Sequence, residues 1–379
     1  MEAVQARAES LHVTRNTRAR RVLIVGPSRR FLGGQAVQAE RLLRRFAAEP
    51  GVDVQFLAVD PALPGPLAAL QRIKYVRTVV TSVAYWASLF ARVPRTDVIH
   101  AFSASYWSFL LAPVPAMLVG RLFGKRVYVN YRSGEAHDHL TRYSHAVPLL
   151  RVAHDIVTPS GYLRDVFAEF GLHATVVENF VEIDRLPYRR RTELPPHFVA
   201  NRNFEAHYDV ATVLRAFARI QQQVPHATLT VVGDGPLRDE LHALASELAL
   251  QQVTFTGAVP PERMPQLYDA ASLYLNSPRI DNMPNSVIEA FACGLPVVTS
   301  DAGGIPYIVR DGENGRMVAA GDPDALANAA LQLLRAPDEA LRLADLARAE
   351  CLSRYTWPAV RDRWLALYGA EARTSPRAA

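Results

Sequence analysis

The feature that most constrains the fold is a repeated alternation of short apolar strands with helical segments. Residues 21–26 form an apolar, β-branched run, and residues 37–48 follow it with helical spacing. Short apolar runs between loops are typical of buried strands, and their alternation with helices indicates a parallel, doubly wound sheet. Further strands of this first series are predicted at residues 54–59, 97–101, 127–130, 155–159 and 175–179.

The alternation is interrupted once, by residues 184–197 (DRLPYRRRTELPPH), whose prolines and arginines are typical of a linker. It then begins again, which predicts two similar α/β domains with ligands at the carboxyl ends of their strands. The second series has predicted strands at 197–200, 227–232, 253–255, 272–276 and 295–299 and helices at 210–222, 237–248 and 264–271. The predicted organisation is a basic disordered tail at 1–19, a first domain at 20–183, the linker at 184–197, a second domain at 198–355 and a C-terminal helix at 356–370.

Composition narrows the class of protein. The chain has 379 residues, 49% apolar and 21% charged, as in a soluble globular protein with room for two cores. Its two cysteines, Cys293 and Cys351, form no CxxC motif or Cys/His cluster, which disfavours disulfides and zinc and favours a reducing compartment. The net charge of +5 is compatible with an anionic small molecule, a membrane surface or nucleic acid.

Two apolar stretches bear on membrane contact. No run reaches the roughly 18 to 20 apolar residues that span a bilayer, and the start of the chain lacks the apolar core of a signal peptide. Residues 78–91 predict a core-packed helix, while their basic flanks leave open an interfacial helix on anionic lipid. Residues 101–120 predict a strand end and a core helix, or else a surface for an apolar or lipid-linked acceptor.

The stretch from 281 to 304 contains several residues that indicate helix ends and a polar binding site. Ser286 and Glu289 match a Ser-x-x-Glu capping box, in which the carboxylate bonds back to the N-cap residue. Gly294 then occupies the position of a C-cap glycine. A buried strand follows, and Gly303 and Gly304 precede another helix start.

This arrangement predicts a site for a phosphorylated polyol. Helix N-termini offer free N–H groups and a positive dipole end to phosphates, and Gly303 and Gly304 let a phosphate come close. The carboxylates of Asp281 and Glu289 are suited to accept hydrogen bonds from hydroxyl groups. Together these groups predict a nucleotide sugar, although the capping role alone remains open for Glu289.

Five motifs, in order, resemble those of the retaining GT-B glycosyltransferases of family 4, the glycosyltransferases group 1. They cover roughly residues 20 to 370. The stretch D281-x7-E289 with AFACGLPVVTSDAGGIP resembles the Glu-x7-Glu region of that family. The other four are Gly33-Gly34, G-D-G-P-L at 233–237, F-T-G-A-V at 255–259 and D-G-E-N-G at 311–315.

The resemblance implies a GT-B fold, that is, two Rossmann-like domains facing a central cleft, with the C-terminal helix crossing back to the first domain. It implies that Glu289 holds the ribose hydroxyls and that Asp281, one methylene shorter than the usual Glu, contacts the transferred sugar. Backbone near Gly257 and Val259 would border the base. The implied diphosphate contacts are Gly33, Gly34, Pro284, Asn285 and Ser286.

Two positions depart from the family pattern. Arg202 matches the Arg that neutralises the leaving diphosphate, but His207 stands where the family has a Lys. Arg132, Arg279 or a protonated His207 would then supply the second positive charge. The family also places a His near the transferred sugar after the fourth strand, where this chain has Arg132 with His137 and His139 just beyond. Arg132 and His137 are therefore predicted catalytic residues together with Arg202 and Asp281, and an ordinary polar loop is the alternative for the two histidines.

The implied reaction is sugar transfer from a nucleotide-diphosphate sugar to a glycan, lipid-linked or small-molecule acceptor. It retains the configuration at the anomeric carbon and needs no metal and no cofactor. The implied setting is cell-envelope polysaccharide synthesis by a cytoplasmic protein, with peripheral contact to the inner face of a membrane left open and no nucleic-acid partner.

Other functions fit the sequence less well. A nicotinamide-dependent dehydrogenase would need GxGxxG after the first strand, which GPSRRFLGG does not provide. A phosphorylase would need a pyridoxal lysine, but the only lysines are Lys74 and Lys125, both in the first domain. The missing Lys and the shortened Asp281 motivate an alternative, a non-catalytic or very slow nucleotide-sugar-binding scaffold.

Overall fold

The computed structural model describes residues 18–28, 34–63, 65, 69, 71, 73 and 75–370. Gly33 and all but the last two residues of the predicted tail at 1–19 lie outside these residues. The strands are β1 (Arg20–Gly26), β2 (Val52–Ala58), β3 (Val98–Ser103), β4 (Arg126–Tyr131), β5 (Asp155–Thr158), β6 (Ala174–Val176), β7 (His197–Asn201), β8 (Thr228–Val232), β9 (Val253–Gly257), β10 (Leu273–Asn276), β11 (Val297–Ser300) and β12 (Arg316–Val318).

Helices connect these strands. Those of the first half are α1 (Gly34–Phe46), α2 (Val76–Arg92), α3 (Trp107–Leu111), α4 (Pro113–Leu122), α5 (Ala136–Arg142), α6 (Ala146–Leu150) and α7 (Gly161–Glu169). Those of the second half are α8 (Val210–Gln223), α9 (Arg238–Glu247), α10 (Met264–Ala270), α11 (Asn285–Ala292), α12 (Pro323–Arg335), α13 (Pro337–Arg354) and α14 (Trp357–Tyr368). The predicted strands lie within about two residues of observed ones, except that the one predicted at 175–179 runs three residues past the end of β6. The short edge strand β12 was not predicted.

The strands form two parallel six-stranded sheets, one in each half of the chain. The first has the order β2-β1-β3-β4-β5-β6 and the second β12-β11-β10-β7-β8-β9. Read from its other edge, the second sheet has the strand order of the dinucleotide-binding Rossmann fold. The prediction of two doubly wound α/β domains is therefore confirmed.

Each sheet is buried on both faces, as its apolar strands require. In the first domain, Leu23, Val25 and Val129 point into one core, and Val22 and Ile24 point into the other. In the second domain, alternate residues of β7 divide in the same way between two cores, with Phe198 and Ala200 on one side. Cys293 and Cys351 are buried free thiols.

The chain passes between the domains at two adjacent places. Val181, after β6, donates its N–H to the carbonyl of Tyr355 over 2.9 Å, just before α14. Helix α14 then packs against the first domain, where the ring of Trp357 lies 5.1 Å from that of Phe46.

The segment predicted as a linker is held to the second domain by one buried arginine. Arg191 is 2% exposed and donates to the carbonyls of Tyr268, Ala271, Cys293 and Gly294, over 2.8 to 3.0 Å. Burial lowers the pKa of this guanidinium, but four carbonyl acceptors compensate for the lost water. This part of the linker is thus a fixed part of the second domain.

The helix predicted from residues 78–91 departs from the expected core packing. Of its side chains, only Tyr85 and Leu89 are buried, and Val79 and Val83 are more than 60% exposed. Among the residues that the structure describes, no helix has the length and apolar character needed to cross a bilayer.

Candidate functional site

A cavity of about 620 Å³ lies between the domains, within the range of small-ligand sites. Its walls come from the loops after β3 and β4 of the first domain and from the loops after β7, β8, β9 and β10 of the second, with the first turns of α1 and α11. These loops follow the carboxyl ends of their strands. In the second sheet the strand order reverses between β7 and β10, the position at which open α/β sheets bind ligands.

Two charged residues meet at this point of the second sheet. Arg202 follows β7, Asp281 follows β10, and their side chains, 10% and 11% exposed, form an ion pair. Arg202 also donates to Ser286 Oγ over 3.3 Å and lies 4.0 Å from the ring of Tyr208. Burial disfavours the charged guanidinium, but the interactions with Asp281, Tyr208 and Tyr274 together outweigh it, so the pKa of Arg202 is raised. A permanently positive group therefore faces the cavity.

One atom of this pair is left without a partner. The Nε of Arg202 is buried and has no hydrogen-bond partner among the described residues. An unsatisfied donor on a buried cation is costly, and an anionic ligand in the cavity would satisfy it.

Glu289 lies on α11 and is 9% exposed. Its Oε1 accepts from Arg41 Nη2 over 2.7 Å, and its Oε2 accepts from Tyr268 Oη over 2.9 Å. Arg41 belongs to α1 of the opposite domain and also donates to the carbonyl of Phe180 over 3.0 Å. The carboxylate is therefore held at the cavity wall by partners from both domains.

The capping-box interpretation of this stretch is wrong. Helix α11 begins at Asn285, its N-cap is Pro284, and no side chain caps it. Ser286 is therefore the second helical residue, and the carboxylate of Glu289 is bonded to Arg41 and Tyr268 instead of the helix start. Gly294 does have the left-handed conformation (φ +68°) expected after a helix end.

The N-termini of two helices from opposite domains meet in the cavity. Gly34 opens α1 and Asn285 opens α11, and both line the cavity with Pro284 and Ser286. The Nδ2 of Asn285 lies 3.5 Å from the carbonyl oxygen of Gly34. Free N–H groups and positive dipole ends thus face the same space from both sides, an arrangement suited to a polyphosphate.

The glycine pair at 303–304 has another role than the predicted contact with phosphate. Gly303 and Gly304 are not part of the cavity wall. A Cβ on Gly303 would lie 2.2 Å from the carbonyl oxygen of Asp281, and one on Gly304 would lie 1.9 Å from that of Asn282. The pair allows the 281–282 segment to pack closely, so it positions Asp281.

Only part of the segment predicted to border the base lies at the cavity. Val259 lines the cavity together with Ala258, whereas Gly257 lies outside its wall at the end of β9. Gly257 has a left-handed conformation (φ +69°), so it turns the chain at the end of the strand.

Arg132 brings a positive charge to the cavity from the first domain. It follows β4, lines the cavity, and donates to Asn179 and, over 3.4 Å, to Asn130 Oδ1. Burial lowers the pKa of Arg132 to about 9, so it is charged at neutral pH. Below it, His100 is fully buried, and burial with the charge of Arg132 lowers its pKa to about 3.

The other candidates for the second positive charge are placed differently. His207 lines the cavity, with Nε2 3.6 Å from Glu205 Oε2. Arg279 lies outside the cavity wall and pairs with Asp209 over 2.8 Å. Arg132 and His207 therefore remain candidates, and Arg279 does not.

Neither histidine after Arg132 reaches the cavity, which corrects the catalytic assignment of His137. Its side chain is 59% exposed and lies 3.5 Å from Glu169 on the outer side of α5. His139 is buried and pairs through Nδ1 with Tyr131 Oη over 2.7 Å. Being two residues apart, these side chains lie on different sides of α5, and neither is part of the cavity wall.

Sequence reasoning missed the residues that join the domains. Gln38 donates to Asn285 Oδ1 over 2.8 Å, and Asn179 donates to the same atom over 3.0 Å. Gln38 and Arg41 are buried polar residues on α1, at spacings of four and seven residues from Gly34. This spacing puts both residues on the same side of α1 as Gly34 at the start of the helix, and it could have identified them from the sequence.

Comparison with known proteins identifies the second domain. Residues 196–336 match the sequence profile of the family described as "Glycosyl transferases group 1". The chain carries a group 1 glycosyltransferase domain. The resemblance drawn from the sequence motifs is thereby confirmed for this group, while family 4 and retention of configuration stay predictions.

In the described parts of the chain, no three His, Cys, Asp or Glu side chains are grouped to hold a metal ion.

Relatives with assigned activities share parts of the chain. A GDP-mannose-dependent α-(1-6)-phosphatidylinositol monomannoside mannosyltransferase of Mycolicibacterium smegmatis is 31% identical over 153 residues, which are 38% of this chain and 40% of that protein. A glycogen synthase of Mycobacterium tuberculosis is 28% identical over 295 residues, 74% of this chain and 70% of that one. The first match thus spans well under half of that relative's length, and both names agree with the predicted enzyme class, a glycosyltransferase.

Solved structures resemble the whole fold. Sucrose-phosphate synthase of Thermosynechococcus elongatus has a TM-score of 0.75 at 21% identity, over 92% of this chain and 98% of that one. The Anabaena protein HepE, solved in complex with UDP-glucose, has a TM-score of 0.73 at 18% identity, over 92% and 99%. The predicted GT-B fold is therefore confirmed.

Proposed function

We propose that this protein transfers a sugar from a nucleotide-diphosphate sugar to a hydroxyl group of a glycan, a lipid-linked saccharide or a small molecule. The observation that carries the proposal is the meeting of the N-termini of α1 and α11 across one cavity, flanked by Arg202 and Glu289. The two helix ends suit a diphosphate, and the carboxylate suits a ribose diol. The group 1 domain over residues 196–336 supports the same assignment.

In the proposed reaction, the bond between the anomeric carbon and the diphosphate oxygen breaks, and the acceptor oxygen bonds to the same face of the sugar. The acceptor proton passes to the departing diphosphate, so the products are a glycoside with retained configuration and a protonated nucleoside diphosphate. Arg202 and Arg132 stabilise the negative charge that develops on the leaving group, with no metal ion required. His207 also lines the cavity, and in its protonated form it would add a third positive charge beside the leaving group.

The proposed roles follow from the polar partners of each residue. Glu289 keeps acceptor capacity beyond its bonds to Arg41 and Tyr268, so it receives the ribose hydroxyls. Asp281 lies beside Arg202, where it holds a hydroxyl of the transferred sugar. The free thiols Cys293 and Cys351 support the proposed cytoplasmic location.

The test is a thermal-shift panel of the full chain with UDP, GDP, ADP and their common sugar conjugates, with and without EDTA. One nucleotide should raise the melting temperature, since a ligand at a hundred times its Kd adds about 2.7 kcal/mol of stability. Release of the nucleoside diphosphate from that donor, with an acceptor panel, then measures transfer.

Each outcome decides a part of the proposal. A shift unaffected by EDTA, with release of product, supports metal-independent transfer, and loss of turnover in EDTA contradicts metal independence. Inversion at the anomeric carbon, read by proton NMR of the product, contradicts retention. Donor binding without turnover for any acceptor favours the scaffold alternative, and no shift with any nucleotide overturns the donor site.

A further inference from the structure

Helix α2 presents an apolar stripe to solvent. Val79, Val83, Trp86 and Phe90 are 63%, 64%, 36% and 46% exposed. Their spacing of four, three and four residues places all of them on one side of the helix. The buried side chains of this helix, Tyr85 and Leu89, lie about a quarter turn away. Tyr85 Oη also donates to the carbonyl of Ala112 over 2.7 Å, which fixes the helix orientation.

Helix α4 extends this stripe into a continuous surface. The ring of Phe90 lies 6.2 Å from that of Trp86 and 6.2 Å from that of Phe123, which ends α4. Leu118 and Leu122 of the same helix are 44% and 69% exposed. We call this surface the apolar face, and its members are Val79, Val83, Trp86, Phe90, Leu118, Leu122 and Phe123. Contiguous exposed apolar side chains of this kind mark interaction sites.

The sequence segment that carries the apolar face is basic. Between residues 61 and 134 the chain has nine Arg and Lys residues and one acidic residue, Asp97. That carboxylate is bound to Arg21 over 2.9 Å. The whole chain has 42 basic and 37 acidic residues, so the remainder carries an acidic excess. The positive charge of the protein is therefore concentrated in the part that carries the apolar face.

We propose that the apolar face docks onto the surface of an anionic lipid bilayer. Apolar and aromatic side chains enter the boundary between headgroups and acyl chains, while Arg77 and Arg121, both exposed, reach the phosphates. Basic residues near an anionic surface add electrostatic attraction to the apolar contact. A second copy of the chain is a poorer occupant, because two such faces would bring like charges together.

The test is flotation of the full-length protein with phosphatidylcholine vesicles, with and without phosphatidylglycerol. The protein should float with the anionic vesicles, and added salt should weaken the binding. Trp86→Ser with Phe90→Ser should lower the bound fraction at least about tenfold, because less apolar area is buried. The matched control is Leu346→Ser with Leu352→Ser, which removes two exposed leucines of α13.

A charge-reversal pair tests the electrostatic part. Arg77→Glu with Arg121→Glu should lower binding to anionic vesicles and leave the weak binding to neutral ones unchanged. The control is Arg215→Glu with Arg335→Glu, which makes the same charge change on exposed arginines of the second domain. The N-terminal tail is present in every variant, so the difference between the pairs reports the apolar face.

The outcomes distinguish a lipid bilayer from a second copy of the chain as the partner of the apolar face. Flotation lost only in the apolar-face variants supports the bilayer. Equal loss in the control pairs, or no preference for anionic vesicles, overturns the proposal. A dimer in sedimentation velocity that the Trp86/Phe90 variant dissociates, with no flotation, assigns the face to a second copy and also overturns it. Nucleotide-induced thermal shifts should persist in all variants, so this result is independent of the donor site.

Discussion

Two apolar helices of similar sequence character, α2 and α11, differ completely in burial. All residues of α11 except Asn285 are buried, whereas α2 buries only Tyr85 and Leu89 of its 17 residues. Helix α11 lies between the second sheet, α13 and the cavity wall, so every side of it has a neighbour. Helix α2 lies at the outer edge of the first domain. The comparison shows that an apolar sequence favours burial of the helix, but the elements that pack against the helix decide whether it is buried.

The difference has a functional counterpart. The enclosed helix α11 holds Glu289 and the amides of its first turn in fixed positions, as binding and catalysis require. The exposed helix α2 keeps apolar area free for a partner. We therefore expect substitutions at the cavity to change the chemistry and substitutions on the exposed side of α2 to change the location of the protein. Three predictions concern the buried part of this comparison, from the largest expected effect to the smallest.

Arg202→Ala should lower turnover by about 10²- to 10³-fold, because it removes a positive charge where the leaving group becomes negative. Donor affinity should fall much less, since the charge interacts more strongly with the transition state than with the ground state. Steady-state kinetics and calorimetric binding measure the two effects.

Arg202→Lys serves as the comparison, because it keeps the charge but loses the planar fork that bonds Asp281 and Ser286. It should recover part of the turnover. A loss of affinity as large as the loss of turnover would contradict the transition-state role, and so would an effect as small as that of Arg215→Ala.

Glu289→Gln should weaken nucleotide binding by roughly 30-fold, because charge-assisted hydrogen bonds to two ribose hydroxyls are replaced by neutral ones. The measurement is calorimetric titration with the nucleotide found in the thermal-shift panel. Glu262→Gln is the matched control, as Glu262 also lines the cavity but is exposed. If both variants bind the nucleotide equally well, Glu289 does not hold the ribose and serves only to bind Arg41.

Acid pH should destabilise the first domain through His100. Its pKa is lowered by burial to about 3 in the folded protein, against roughly 6.5 when unfolded, so below pH 6.5 the unfolded state binds the proton first. Stability should therefore be complete above pH 6.5 and should fall as pH decreases, by about 1.4 kcal/mol at pH 5.5.

Thermal unfolding at pH 7.5 and pH 5.5 measures this effect. The difference between the two pH values should shrink in His100→Asn and stay unchanged in His226→Asn, which alters an exposed histidine of the second domain. An unchanged difference in His100→Asn would show that another group titrates. If acid pH lowers the stability of the first domain only, the two domains also differ in their pH dependence.

The strands and the position of the cavity were predictable because both depend on short-range patterns. Apolar runs located the strands, and the reversal of strand order in the second sheet places Arg202 and Asp281 side by side although they lie far apart in sequence. The motifs also identified Glu289 and the start of α11 as parts of one site.

The failures share a physical cause. The Ser-x-x-Glu pattern at 286–289 is locally sufficient for a cap, but Arg41 from the other domain binds the carboxylate more strongly. Gly303 and Gly304 allow a neighbouring carbonyl to pack, and a glycine looks the same in sequence whether it meets a ligand or a chain. In both cases the deciding neighbour is distant in sequence.

The adjacency of the two chain crossings determines how the cleft can open. Because Val181 is hydrogen-bonded to Tyr355, a rotation of the domains about a line through this pair leaves both connections unstretched, whereas sliding would break it. Arg191 fixes the following segment to the second domain, so the torsional change is confined to the nine residues between 181 and 191. Breaking the contacts between the domains at the cavity, those of Arg41 with Glu289 and of Gln38 and Asn179 with Asn285, would therefore release a swing about a single axis, with the largest displacement at the cavity mouth.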